Sequence, residues 1–593
     1  MNVKKMGFVL ASGLVFALML GVFALNQNTV AGLAAVIVLA AGFWAFHHRV
    51  LAGRGWYWRL SGWLGWLALS FAALLLTWPP VRAVPAVSGG DGGPTEPVSI
   101  AQGVLQGVRT ADGAVEVYAG IPYARPPVGA LRWRAPLAPE PWEGTLQADR
   151  FAPMSMQPVN LPIYDALTQI VAKHDYVFSL SNRYRPPVSE DSLYLNIWKP
   201  AGEVSDLPVL VFIHGGSLQT GQPWYADYSG EGLARSGVVA VNMGYRLGVF
   251  GYFADETLRA ESGTTGNYGM LDQIRALEWV RDNIAAFGGD PDNVTLAGES
   301  AGAASVSALC TSPLAAGLFR RAILESSTVA SVSPPHSFRT LEEALESGRE
   351  LMARHQCTSV DALRALPAEA LVGEAESQHH MTVDGYALTE TPYASYRRGV
   401  YNGQELLHGY NSRESGPFLL LDPASLSDYA ERVRGYFRSY ADEVLALYPA
   451  ASDAEAAAAW AEIWGAVFFD YPHYCLNRLA VDNGIPVYEY YFTKENGYIG
   501  PWHSGEEIYC YGNIPEGSGL FDARDRELSA QMLRYWKNFI TDGDPNDSSL
   551  PRWEQNRSSA QLMEFGASTG MVPEREHALF EILDRMDGWH GET

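Results

Sequence analysis

Cysteine is scarce in this chain. There are four in 593 residues, at positions 310, 357, 475 and 510. Their spacing suggests no disulfide framework, and none falls in a Cys/His spacing that would hold zinc. His379-His380 is an isolated pair in a polar stretch, so no metal is expected, and no organic cofactor motif is present. Basic residues are also few: 42 Lys/Arg face 66 Asp/Glu, a formal charge of −24, which argues against nucleic acid as a partner. Acid is what the N-terminus lacks. Residues 1–97 hold only Asp91 and Glu96 against six Lys/Arg, while the remainder holds 64 acidic and 36 basic residues.

Where charge is absent, apolar runs stand instead. Met6–Leu25, Val30–Phe46 and Leu60–Trp78 are uncharged runs of bilayer-spanning length, with Trp56, Trp58, Trp63 and Trp78 near their ends. They predict three transmembrane helices within residues 1–82. Lys4 and Lys5 precede the first run, the Asn26–Thr29 loop is uncharged, and the 47–59 loop carries Arg49, Arg54 and Arg59. Positive ends stay inside, which predicts a multi-pass membrane anchor and delivers the chain after Pro79 to the extracytoplasmic side. If the first run is instead a cleaved signal peptide, two spans remain and the C-terminal part still ends outside. Residues 83–97 (AVPAVSGGDGGPTEP) read as a Gly/Pro linker, and 98–593 as one large domain.

That domain is centred on Asn293–Ala304, NVTLAGESAGAA. Val294-Thr295-Leu296-Ala297 reads as a buried strand and the Ala/Ser-rich stretch from Ala301 as a helix. Gly298-Glu299-Ser300-Ala301-Gly302 joins them. Glycines two before and two after Ser300 remove side chains where a strand must reverse sharply into a helix, which leaves the hydroxyl exposed. The helix N-terminus aims its free N–H groups at the same spot. The five-residue pattern arises by chance in roughly one in five chains of this length. A second copy, Gly566–Gly570, runs into Pro573 with no apolar helix behind it and too little chain after it for an acid and a histidine, so it is read as no site.

Around the centre, apolar runs mark strands at 114–118, 193–198, 207–213, 238–243, 321–325, 405–409 and 487–492. The run LPVLVFI (207–213) is continuous, as in a strand covered on both faces. Gly120–Gly129 reads as an extended surface segment. Helices are predicted at 269–287 and 528–540, and helical stretches at 335–400 and 425–485 as a cap. Strands alternating with helices make this an α/β domain with a mostly parallel sheet.

A serine hydroxyl needs a base to take its proton and an acid to orient that base. His503, in the Gly/Pro-bounded loop after the 487–492 strand, is the candidate base; Glu414, in the loop after 405–409, is the candidate acid. Position alone leaves both open, since loop Glu and His are often merely solvated. The small residues His214-Gly215-Gly216-Ser217 after a buried strand let the N–H groups of Gly216 and Ser217, with that of Ala301, face an oxyanion. The same turn also reads as an ordinary tight turn.

Taken together, Tyr118–Ala124 (YAGIPYA), Glu190–Asn196 (EDSLYLN), the 214–216 glycine turn, Gly298–Gly302, Gly409–Glu414 (GYNSRE) and His503–Tyr509 resemble the type-B carboxylesterase family, the cholinesterase-like α/β-hydrolases, over about residues 98–585. The resemblance implies an α/β-hydrolase fold, cleavage of small-molecule carboxylic esters through an acyl-enzyme, and Ser300, Glu414 and His503 as triad. It also implies Gly216, Ser217 and Ala301 as oxyanion donors, and no cofactor. Glu299 is expected in the cavity wall. Departures are Ser217 for a third glycine, Ser155 and Ser192 where the family bridges two cysteines, and no tryptophan in Leu180–Tyr184, which disfavours a choline site. Cys357 is expected as a free thiol, and the loop between Ser155 and Ser192 as unclamped. The acidic domain is expected to disfavour anionic substrates. Two other readings use the same fold. One is a tethered, non-catalytic recognition domain, which the intact serine, acid and histidine disfavour. The other is cleavage of amides, lactones or thioesters. Oligomeric state is not encoded in any motif.

Overall fold

The N-terminal runs form helices α1 (Val3–Leu25), α2 (Val30–Phe46) and α3 (Trp56–Leu76) in a computed structural model, which describes residues 3–82, 87, 92–159, 161–171, 185–373, 379–495, 499–557, 561–574 and 578–588. All three are long and apolar enough to cross a membrane. The third starts four residues earlier than the uncharged run and stops at Leu76, because Arg59 is taken into its first turn and donates to the Leu51 and Ala52 carbonyls. Small residues and rings fill the interface: a Cβ on Gly62 would stand 2.4 Å from Leu51, and Phe43 stacks on Trp66 at 4.5 Å. The uncharged Asn26–Thr29 loop is pinned rather than loose, since the buried Asn28 amide donates to the Leu74 carbonyl (2.7 Å) and to Thr77 (3.0 Å).

Contacts divide the chain into two units. One holds residues 1–83 together with 159–187, and includes a fourth helix, α4 (Pro162–Val171). The other holds 84–158 and 188–593. Most of the 83–91 stretch and all of Leu180–Tyr184 lie outside the described residues; of the rest, Thr95 is buried and donates its backbone N–H to the Gly107 carbonyl at 3.0 Å.

The larger unit is built on an eleven-stranded sheet. In chain order its strands are β1 (Val108–Arg109), β2 (Val115–Pro122), β3 (Tyr194–Pro200), β4 (Leu207–Ile213), β5 (Val239–Met243), β6 (Gly289–Glu299), β7 (Arg321–Glu325), β8 (Glu405–Asn411), β9 (Val487–Phe492), β10 (Gln561–Phe565) and β11 (Thr569–Pro573). The spatial order is β11-β10-β9-β8-β7-β6-β4-β5-β3-β2-β1. From β10 to β5 all neighbours are parallel, and both edges are antiparallel. The fold is the expected α/β-hydrolase one.

The pleat sends alternate residues of each central strand to two cores. Val209, Val211 and Ile213 of β4 join one, with Leu271, Ile274, Leu277 and Val280 of helix α5 (Tyr268–Asn283). Leu210 and Phe212 join the other, with Leu528, Met532, Trp536 and Phe539 of a C-terminal helix, Ala523–Asp542. This is why the strands read as continuous apolar runs.

Two expectations need correction. Gly120–Ala124 is not surface: β2 runs on to Pro122, and Ile121 and Tyr123 are fully buried, the latter donating its hydroxyl to the Gly244 carbonyl at 2.6 Å. The 335–400 stretch is only partly helical, since Phe338–Arg339 pairs with Met381–Thr382 as a short parallel ribbon. The second G-x-S-x-G is the hairpin turn between β10 and β11.

Candidate active site

β6 ends at Glu299 and helix α6 (Ala301–Leu309) begins at once, so one residue makes the reversal. That residue, Ser300, sits at φ +54°, ψ −126°, a strained conformation for a residue with a side chain. The glycines make it possible. A Cβ on Gly302 would stand 1.9 Å from the Ile213 carbonyl oxygen, and one on Gly298 would stand 2.6 Å from the Gly302 backbone. Ser300 donates its own N–H to the Glu325 carbonyl at the end of β7 (2.8 Å) and remains half-buried.

β4, alongside β6, ends in the His214–Gly221 turn. Gly216, Ser217 and Leu218 all have positive φ, and the turn closes by Gln219 and Thr220 N–H groups donating to the Gly216 carbonyl (2.9 Å each). Gly215 passes so close that its Cβ would lie 2.9 Å from Ser300 Cβ. The turn therefore touches the elbow. Burial lowers the His214 pKa to about 4. Neutral and facing the Gly215 carbonyl through Nδ1 (2.9 Å), it holds the turn from beneath. Gln157 holds the far end, donating to the Gly221 carbonyl (2.8 Å) and accepting from its N–H (2.9 Å).

Glu414 and His503 meet. Glu414 Oε2 is 2.6 Å from His503 Nδ1, and Oε1 accepts the Asn411 N–H at 2.6 Å. Burial, then the nearby Glu506, raises the Glu414 pKa well above the ordinary carboxylate value. His503 Nε2 is buried with no hydrogen-bond partner, 3.3 Å from Glu299 Oε1. No hydrogen bond joins it to Ser300. Glu299 is 4% exposed, and burial raises its pKa to about 8 against the opposing pull of His503.

Several groups here went unnoticed in the sequence. Ser504, at φ +71°, donates its hydroxyl to Glu299 Oε1 (2.6 Å). Glu506 is fully buried and accepts from Ser326 (2.8 Å), Tyr490 (3.0 Å) and the Asn411 amide, tying the acid loop to the histidine loop. The motif letters around Asn411 and Glu506 were the available signal. Phe418 and Phe469 wall the imidazole at 5.1 and 4.7 Å, and no sequence pattern marked them. Phe469 also lies 5.7 Å from His336, which lines an open cleft of about 460 Å³ with Phe338, Arg339, His380 and the carboxylates Glu343, Glu346 and Glu350. One phenyl ring thus stands between that cleft and the imidazole.

The cysteines are all free, Cys357 among them. The loop between Ser155 and Ser192 is held after all: the two hydroxyls hydrogen-bond at 3.0 Å, and Ser155 also donates to the Tyr245 carbonyl.

Known proteins align over nearly all of this unit. The carboxylesterase family profile matches residues 94–578. The chain is 32% identical over 554 residues to a fumonisin B1 esterase of Sphingopyxis macrogoltabida, covering 88% of this chain and 96% of that protein. It is 31% identical over 532 residues to carboxylesterase 3 of Homo sapiens, covering 83% and 90%. Among solved structures, a PNB esterase superposes with a TM-score of 0.69 at 28% identity, covering 82% of this chain and 99% of that one.

Proposed function

Because the chain belongs to the carboxylesterase family and is a carboxylic ester hydrolase, we propose that Ser300 is its nucleophile, His503 its general base, Glu414 the acid that orients that base, and Gly216, Ser217 and Ala301 its oxyanion donors. The observation that carries this is the 2.6 Å bond between Glu414 and His503 Nδ1, with Nε2 in no hydrogen bond and 3.3 Å from Glu299, the residue before Ser300. In that tautomer Nδ1 donates and Nε2 is free to accept. His503 takes the Ser300 proton as Oγ attacks the ester carbonyl. The N–H groups of Gly216, Ser217 and Ala301 receive the oxyanion. His503 then protonates the departing alcohol, and water repeats the cycle on the acyl-enzyme. Ser300→Ala is expected to abolish turnover of a short p-nitrophenyl ester while circular dichroism stays unchanged; undiminished turnover rejects the assignment. A panel of esters of graded acyl length, with fumonisin B1 and a matched amide included, then defines the substrate.

Residues 98–593 are the proposed catalytic domain, tethered to a membrane by α1–α3. The support is their length and apolar surface and the basic residues at the N-terminus and in the 47–59 loop, since positive ends favour the cytoplasmic side, which would leave the catalytic domain opposite. Protease added outside intact cells should cut the catalytic domain; protection until lysis overturns that orientation.

A further inference from the structure

Residues 159–187 interrupt the catalytic chain between Ser155 and Ser192, yet they belong to the unit of the apolar helices. Both ends of the interruption are tied there. At its start α4 packs on α1. At its end the Arg185 backbone pairs with Val81 in a β-bridge, donating to the Pro80 carbonyl (2.9 Å) and accepting from Arg82 (3.1 Å). Its guanidinium donates to the Pro79 carbonyl at 3.2 Å and lies 5.7 Å over the Trp78 ring.

α4 buries Pro162 and Ala166 and turns outward Tyr164 and Leu167, which are 55 and 46% exposed; Leu161, just before its first residue, is 50% exposed. Water is a poor neighbour for two leucines and a tyrosine so close together in the chain. The helix on which α4 packs, α1, exposes Leu10, Leu14 and Leu18 along its own length. An exposed apolar face that adjoins a lipid-length apolar helix has the make-up of an interfacial helix, with tyrosine suited to the headgroup boundary.

We propose that Leu161, with Tyr164 and Leu167 of α4, docks on the lipid bilayer, so that the membrane contact of this enzyme includes a piece of its catalytic chain. The proposal rests on the tethering proposed above. Leu161 lies four residues after Gln157, whose amide clamps Gly221 at the end of the proposed oxyanion turn.

The test uses the full chain in phospholipid vesicles, in a Cys357→Ser background, since the other three thiols are buried. An environment-sensitive fluorophore is attached at Leu167→Cys, with Tyr164→Cys as an independent position on the same face. Leu69→Cys on α3 reports the span, and Leu447→Cys reports an exposed leucine of the other unit. Retained turnover of a soluble ester certifies folding of each. The α4 labels are expected to shift to the blue and to be quenched about twofold more by doxyl groups near the headgroups than by doxyl groups at the chain ends. The Leu69→Cys label should show the reverse preference, and Leu447→Cys no quenching. If the α4 labels behave like Leu447→Cys while Leu69→Cys is quenched, docking is overturned and the tether stands. If Leu69→Cys is also unquenched, the tether falls and docking with it.

Discussion

Glu414 has two neighbours pulling against each other. Burial and Glu506 favour its protonated form, whereas the bonds from Asn411 and His503 favour the carboxylate. The proposed chemistry needs the carboxylate, because a protonated Glu414 would donate to Nδ1 and leave the proton on Nε2, where the base must accept. Glu414→Gln imposes that wrong arrangement permanently, since an amide donates where the carboxylate accepted. Turnover of a p-nitrophenyl ester should fall by about three to four orders of magnitude, with little change in KM. A loss of less than tenfold would remove Glu414 from the mechanism. In the sequence, the Ser300 elbow could be read from a sharp strand-to-helix turn, whereas position in post-strand loops left Glu414 and His503 open and only the family resemblance singled them out. Phe418 and Phe469 were not legible. An aromatic ring on a cap helix has the same sequence appearance whether it faces a core or an imidazole, and only the fold decides.

At the scale of elements, the continuous apolar run LPVLVFI located β4 to the residue, because a strand covered on both faces has no polar position to blur its ends, and the shorter runs of β7 and β9 were placed as well despite Arg321, Glu325 and Glu489. Gly120–Ala124 misled because glycine and proline usually mark exposed turns; here Gly120 lies against the Arg150 carbonyl, where a Cβ would stand at 2.5 Å, and the chain runs on into the core. The Ser155–Ser192 contact shows what a missing disulfide leaves behind. Two small hydroxyls occupy the bridge position at 3.0 Å and hold the same loop by a hydrogen bond. Ser155→Cys with Ser192→Cys should therefore close a disulfide across 37 residues of chain. Chain-entropy arguments put the gain at roughly 3–4 kcal/mol if no strain is introduced. Loss of two titratable thiols on oxidation, with a raised unfolding midpoint that reductant reverses, is the expected result. Persistence of both thiols under oxidant would show the backbone too far apart.

For the whole molecule, the relevant feature is how many ionisable groups the large sheet and its cores bury. Glu299, Glu325, Glu414, Glu489 and Glu507 all have raised pKa values, chiefly through burial, with Glu299 and Glu325 at about 8 against an ordinary 4.5. His214, His408 and His473 are lowered, again chiefly by burial, His214 to about 4 and His408 to about 3 against 6.5. The signs oppose each other over part of the range. A raised carboxyl gives stability that is complete below pH 4.5 and drains as pH climbs toward its folded value. A lowered histidine gives stability that is complete above pH 6.5 and drains as pH falls. Between about pH 4.5 and 6.5 the two sets offset. Above pH 6.5 the histidine contribution is complete, and Glu299 and Glu325, both at about 8, should make stability decline from there to pH 8, each contributing up to about 1.4 kcal/mol per pH unit. Glu325 allows this to be isolated, because its carboxyl is bonded to Trp536 Nε1 (2.7 Å) and the Tyr511 hydroxyl (2.8 Å), and only its backbone carbonyl meets the proposed nucleophile, accepting the Ser300 N–H. Glu325→Gln should flatten the fall of the unfolding midpoint between pH 6.5 and 8, whatever it does to the midpoint at any single pH. A parallel slope in variant and parent would mean that Glu325 is already ionised in the folded protein, and that its hydrogen-bond donors outweigh its burial.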